Sequence, residues 1–118
     1  MHSPSNFLNE RDQEHRLRCG PLLKQLRERS GKSQRDFAHA VGVEYYSFIS
    51  QLENGQGRIP PERYEAWSTA LGVDTRIFVM AMLYYYDPTT HHHLFPAWSA
   101  ADYERLLLNE ASAKPPLD

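Results

Sequence analysis

The sequence predicts an all-α protein. Apolar side chains recur at helical spacing in short segments, no segment alternates with period two, and Pro and Gly separate one segment from the next. A length of 118 residues fits one domain with tails rather than two full cores. The expected architecture is five short helices followed by one additional C-terminal helix.

The first predicted helix begins near Pro21, because proline is well suited to the first turn of a helix. Its buried face contains Leu22, Leu23 and Leu26. Residues 1–18 are predicted as a polar tail, and an extra polar helix over 7–18 is the alternative.

The second and third helices are bounded by recognisable caps. Ser33 is the expected N-cap of the second, with Asp36 three positions later as in a capping box, and Gly42 ends it. The third helix covers about 45–54 and ends at Asn54-Gly55, a pair that accepts left-handed backbone. Their inward residues are Phe37, Ala38, Val41, Phe48, Ile49 and Leu52.

Three further helices follow. The fourth comes after Pro60-Pro61, Asp74 caps the fifth over 77–86, and the pattern Ser99 to Asp102 is a second capping box that begins the last. Their expected inward residues include Tyr64, Trp67, Leu71, Tyr103, Leu106 and Leu107. The predicted organisation is therefore a tail or extra helix over 1–18, a domain over 19–87, and a loop, helix and tail over 88–118.

Composition excludes several classes of protein. The chain has 13 Lys+Arg and 15 Asp+Glu, for a formal charge of −2, and the single Cys19 cannot form an internal disulfide. No apolar run is long enough to span a bilayer, and the first residues lack the features of a signal peptide. We therefore expect a cytoplasmic protein without membrane contact. Residues 19–60 carry six basic and four acidic groups, which permits contact with a polyanion.

Two short helices joined by a turn that contains Gly42 predict a helix-turn-helix motif. Around them stand Leu26-Arg27, Gly31, Ser33-Gln34, Phe37-Ala38, Val41-Gly42, the run from Ile49 to Gly55, and Ala70-Leu71-Gly72-Val73. In this order and spacing, the segment from Leu23 to about Leu83 resembles the phage-repressor (Cro/CI-like, XRE) helix-turn-helix family. One difference is that six residues, 43–48, separate Gly42 from Ile49 where the family usually has five.

The resemblance implies that the second helix of the motif lies in the major groove of DNA. The expected base-reading residues are Tyr46, Ser47, Gln51 and the neighbouring Ser50. The expected phosphate contacts are Gln34, Tyr45, Arg58 and Arg35. Because of the longer turn, either Tyr45 or Tyr46 is the groove residue. The alternative interpretation of this polar face is ordinary solvent-exposed surface.

Other residues receive structural interpretations. Glu53 is expected to pair with or cap its neighbours, and Glu44 to complement the helix dipole. The run His91-His92-His93 raises a metal hypothesis, but adjacent residues point in different directions, so a polar loop between Pro88 and Pro96 is preferred. Enzyme motifs are absent from the sequence, and we predict no catalysis, no cofactor and no metal.

The segment 77–86 consists of ten consecutive apolar or aromatic residues. As a helix it is apolar on all sides, so one face is left for a partner, and a short buried strand is the alternative. A homodimer is predicted, with Phe78, Met82 and Tyr85 as contacts, and with the last helix, 99–110, swapped across or packed beside the interface.

The resemblance thus implies a bacterial or phage-type transcriptional regulator, repressor or activator, that binds a pseudo-palindromic operator as a homodimer. A protein-interaction module, such as the antitoxin of a toxin–antitoxin pair, is the alternative. A metal- or pH-responsive switch acting through His91 to His93 is a third possibility.

Overall fold

A computed structural model describes residues 10–108, which contain helices and no strand. The α-helices are α1 (Glu10–Arg29), α2 (Gln34–Ala40), α3 (Ser47–Glu53), α4 (Tyr64–Leu71), α5 (Thr75–Tyr86), α6 (Pro88–Leu94) and α7 (Ala100–Leu107). A short 3-10 turn, Pro61–Arg63, precedes α4. The all-α expectation is confirmed. Residues 1–9, in the predicted N-terminal tail, and 109–118, with the end of the predicted last helix and the C-terminal tail, lie outside the described residues.

Helix α1 is longer than the sequence predicts. It begins at Glu10 and continues through Pro21, so the expected start near Pro21 is wrong and the alternative of an earlier helix is closer to the structure. Proline lacks the amide that would donate to the carbonyl of Leu17. The helix continues because the residues around the proline, Cys19 and Leu22 among them, are buried in the core.

The predicted caps are confirmed. The Ser33 hydroxyl accepts a hydrogen bond from the Asp36 amide at 3.0 Å, and the Asp74 carboxylate accepts one from the Ile77 amide at 2.9 Å. Ser99 and Asp102 form the reciprocal capping box of α7. Each cap satisfies amide groups that have no partner within their own helix.

Helix α6 occupies a region that is predicted from the sequence to be a polar loop, and that prediction is wrong. Pro88 stands at the first position of the helix, where its missing amide costs nothing, and the Asp87 carboxylate accepts from the Thr90 amide at 3.4 Å. The buried face of α6 presents His91 to the core. The signal for this helix is therefore its N-terminal cap rather than its polar composition.

Helix α5 lies at the centre of the fold, in contact with α1, α4, α6 and α7. Phe78, Met82 and Tyr85 are completely buried within the chain's own core. No side-chain area remains on them for a second copy, so the structure corrects their expected role as dimer contacts. Phe78 instead meets the Tyr64 ring of α4, and Met82 contacts Cys19 of α1.

Candidate nucleic-acid interface

Helices α2 and α3 are joined by the turn 41–46. The side chains that α3 buries determine which of its faces is exposed. Ile49 and Leu52 of α3 are buried, while the half-buried Phe48 meets Trp67 edge-on, with 6.4 Å between ring centroids. Ser47 and Gln51, one helical turn apart on the opposite side, are exposed. Ser50 beside them is half-buried.

Both tyrosines at the start of α3 are exposed, Tyr45 by 67% and Tyr46 by 49%. Tyr46 is the N-cap of α3 and already has helical backbone, with φ −65° and ψ −18°. The guanidinium carbon of Arg35 lies 5.2 Å from the centroid of the Tyr46 ring. This cation–π contact ties α2 to the beginning of α3 and sets the direction of the ring.

A buried polar network holds the two helices of the motif against α1. The Arg27 guanidinium donates to both carboxylate oxygens of Glu53, at 2.6 and 3.0 Å, and to the carbonyl of Lys32 at 2.8 Å. The Gln34 amide also donates to Glu53, at 3.1 Å. Hydrogen bonding to Glu53 raises the pKa of Arg27, so the guanidinium remains charged. The structural interpretation of Glu53 agrees with these contacts.

Two contacts that hold this region together are not indicated by any motif in the sequence. A Cβ atom on Gly20 would lie 2.3 Å from the carbonyl oxygen of Glu53, so only glycine allows α1 to approach the end of α3 this closely. Arg63 donates to the carbonyls of Val41 and Gly42, at 3.1 and 3.2 Å, and thereby ties the turn of the motif to the segment before α4.

Of the expected phosphate-contacting residues, Arg35 and Tyr45 are exposed, while Gln34 and Arg58 are half-buried and already engaged. Gln34 belongs to the Glu53 network. Arg58 donates to the Tyr64 hydroxyl at 2.9 Å, and its guanidinium carbon lies 4.9 Å from the centroid of the Tyr86 ring. The sequence gives no signal of this stacking.

The three consecutive histidines are separated by the helix that carries them. His91 is buried, and its Nε2 is hydrogen-bonded to the Tyr103 hydroxyl, while His92 and His93 are exposed. Burial, together with the neighbouring His92, lowers the pKa of His91. Within residues 10–108, no group of three His, Cys, Asp or Glu side chains is arranged to hold a metal ion.

Comparison with known families identifies the class of domain. A family model described as Helix-turn-helix matches residues 23–78, which run from the middle of α1 into α5 and include the network and the exposed face of α3. This segment is a helix-turn-helix domain, a DNA-binding class rather than an enzyme family. This match supports the resemblance of the segment to the phage-repressor-like (XRE, Cro/CI-like) type of DNA-binding regulator. No curated protein matches the chain. None of the described helices has the length and apolar character to cross a membrane.

Proposed function

We propose that the protein is a sequence-specific transcriptional regulator that acts in the cytoplasm, at the nucleoid, and binds a pseudo-palindromic operator as a homodimer. The observation that carries this proposal is the outward position of Ser47 and Gln51 on α3, within a matched helix-turn-helix segment. The second helix of such a motif enters the major groove and contacts base edges through residues near its N-terminus.

The proposed base-reading residues have complementary chemistry. The Gln51 amide both donates and accepts, which suits the N6 and N7 edge of adenine. The Ser47 hydroxyl bonds to either kind of base, with Ser50 beside it, and the Tyr46 ring is placed to pack on a thymine methyl group. Because Arg35 already holds Tyr46 in one direction, that ring loses little conformational freedom on binding.

Phosphate contacts are proposed for residues on both sides of this face. Arg35 and Tyr45 are exposed beside the start of α3, and Gln34 opens α2 next to Glu53. Arg58 follows α3 in the loop that leads to α4. Contacts of this kind fix the register of a protein on DNA, whereas the α3 side chains specify the sequence.

The test is the substitution Gln51→Ala, with Gln25→Ala on the exposed side of α1 as the matched control. After a preferred site has been selected from random duplexes, affinity is measured for that site and for each single-base variant. Gln51→Ala is expected to lose discrimination at one position of each half-site, by about 1–3 kcal/mol. The same base preference in Gln51→Ala and in the parent protein would contradict the assignment.

The homodimer is proposed because one module reads only a few base pairs, and two modules related by a two-fold axis read half-sites about 34 Å apart. Since Phe78, Met82 and Tyr85 are buried, other surfaces must supply the contact. Val79, which is 36% exposed, is the large apolar side chain of α5 that is classed as exposed, and we propose it as part of the contact. Sedimentation equilibrium of the parent and of Val79→Asp tests this, and a parent protein that stays monomeric on its operator would refute the dimer.

The antitoxin-type alternative is favoured by one observation. Leu94 on α6 is 60% exposed and lies outside the matched segment 23–78. An apolar side chain of this kind suits contact with a second protein. If this alternative is correct, a small protein encoded beside this one will form a stoichiometric complex with it, and Leu94→Asp will weaken that complex while DNA affinity stays unchanged.

A further inference from the structure

Two arginines converge on a single aromatic ring. The guanidinium carbon of Arg16, on α1, lies 5.8 Å from the centroid of the Tyr86 ring, and that of Arg58 lies 4.9 Å from it. Arg16 belongs to the part of α1 that precedes the matched segment 23–78. Elements that are far apart in the chain therefore place both side chains against the same ring.

Among the described side chains, those of residues 13–108, none forms an ion pair with Arg16 or Arg58. The ion pairs between these side chains are Arg27–Glu53 and Arg105–Asp102. The Nε atoms of both Arg16 and Arg58 are buried without a hydrogen-bond partner among these residues. Positive charges at one site that have no carboxylate partner favour the approach of an anion.

The pair lies beside the end of the proposed recognition helix. A Cβ atom on Gly55, two residues beyond α3, would lie 2.9 Å from the Cα atom of Leu17 and 3.5 Å from the carbonyl oxygen of Arg16. Arg58 follows three residues later in the same loop. Both arginines are half-buried, so part of each remains open to solvent.

We propose that Arg16 and Arg58 together form a clamp for one phosphodiester group of the DNA backbone. This inference rests on the proposed function, since the phosphate belongs to the duplex that α3 reads. Arginine suits this task because its planar guanidinium binds phosphate oxygens through two hydrogen bonds. Tyr86 holds both side chains in place before binding, which reduces the entropy lost when the phosphate is bound.

The primary test compares Arg16→Gln with Arg18→Gln, an exposed arginine on the same helix that loses the same charge. Affinity for the selected operator and for a random duplex is measured over a range of salt concentrations. Loss of one phosphate contact is expected to reduce the slope of log K against log[salt] by about 0.9 in Arg16→Gln. Affinity should fall by the same factor on both duplexes, whereas Arg18→Gln should resemble the parent. Equal slopes in Arg16→Gln and Arg18→Gln would overturn the clamp.

A second variant separates charge from packing. Arg16→Lys keeps the positive charge and is expected to retain most of the salt slope, while thermal unfolding monitors the fold of each variant. A slope in Arg16→Lys as low as that in Arg16→Gln would overturn the proposal. If the parent does not bind duplex DNA at all, the proposed function fails. If the parent binds its operator and Arg16→Gln binds equally well, the clamp alone fails.

The source of the phosphate is tested with inorganic phosphate in the absence of DNA. Added phosphate is expected to change the melting temperatures of the parent and of Arg16→Gln equally, with no saturable rise in the parent alone. The reason is that a single free anion lacks the remaining contacts of the duplex. A saturable rise that Arg16→Gln abolishes, together with an unchanged salt slope for DNA, would mean that the pair binds free phosphate instead and would overturn the assignment to the DNA backbone.

Discussion

The two ends of the described chain are held together by different chemistry. Helices α1 to α3 meet around the buried Arg27–Glu53 ion pair, with the Gln34 amide as a third member. Helices α5 to α7 meet around rings, where His91 contacts Tyr84 and Tyr103 edge-on, with centroid distances of 5.1 and 5.4 Å. Directional bidentate bonds set the angle of a short helix, whereas an aromatic cluster mainly removes apolar area from water. The end that carries the proposed DNA contacts is the one that fixes orientation.

The largest expected effect comes from breaking the ion pair. Glu53→Ala leaves the Arg27 guanidinium buried without its carboxylate, and we expect a loss of about 3–5 kcal/mol in the free energy of unfolding. Urea denaturation followed by circular dichroism measures this, with the exposed Glu62→Ala as control. A cost as small as that of the control would mean that the network does not hold this end of the molecule.

A smaller effect is expected from Gly20→Ala. The added Cβ atom would meet the Glu53 carbonyl oxygen at 2.3 Å, so α1 and α3 must separate. Overpacking of this kind costs about 1–3 kcal/mol, even though alanine favours helix more than glycine does. The same denaturation measurement applies, and an increase in stability would show that the two helices move apart freely. Gln25→Ala, on the exposed side of α1, is the control.

The smallest expected effect is a dependence of stability on pH at the aromatic end. Burial lowers the pKa of His91 in the folded chain. As the pH falls through the ordinary histidine pKa of about 6.5, the unfolded chain takes up a proton that the folded chain does not, so stability decreases. The decrease stops once the pH reaches the lowered pKa of the folded state.

The free energy of unfolding, measured between about pH 5 and pH 8, tests this linkage. His91→Phe is expected to remove this part of the pH dependence, whatever its effect on overall stability, and the exposed His93→Gln is expected to keep it. Identical pH dependence in His91→Phe and in the parent would show that His91 is not the titrating group.

The sequence predicts those parts of the fold whose signals are local. Caps such as Ser33 and Asp74 act over three residues, and the buried face of α3 follows from helical spacing around Ile49 and Leu52. The exposed face of α3 is the one opposite this buried face. Ser47 and Gln51 could therefore be assigned to it from the sequence. Prediction was accurate where one element alone determines the answer.

Prediction failed where several elements decide together. An all-apolar helix such as α5 has no periodicity to orient it, so its burial depends on the helices around it. Tyr64 of α4 meets the Phe78 ring, and Cys19 of α1 contacts Met82. Pro21 stays within α1 because of tertiary packing, against its local preference. Likewise, the positions of Arg16 and Arg58 around Tyr86 require contact between residues that are distant in sequence.

The central position of α5 sets the smallest piece of this protein that can fold. The matched segment ends at residue 78, the fourth residue of α5, yet α5 packs against α1, α6 and α7. A fragment that ends at residue 78 would lose the aromatic rings against which the C-terminal helices pack. It would also expose to water the face of α1 that packs against α5. Shorter forms of this protein for work in solution should therefore follow the shared core and keep at least residues 10–108 intact.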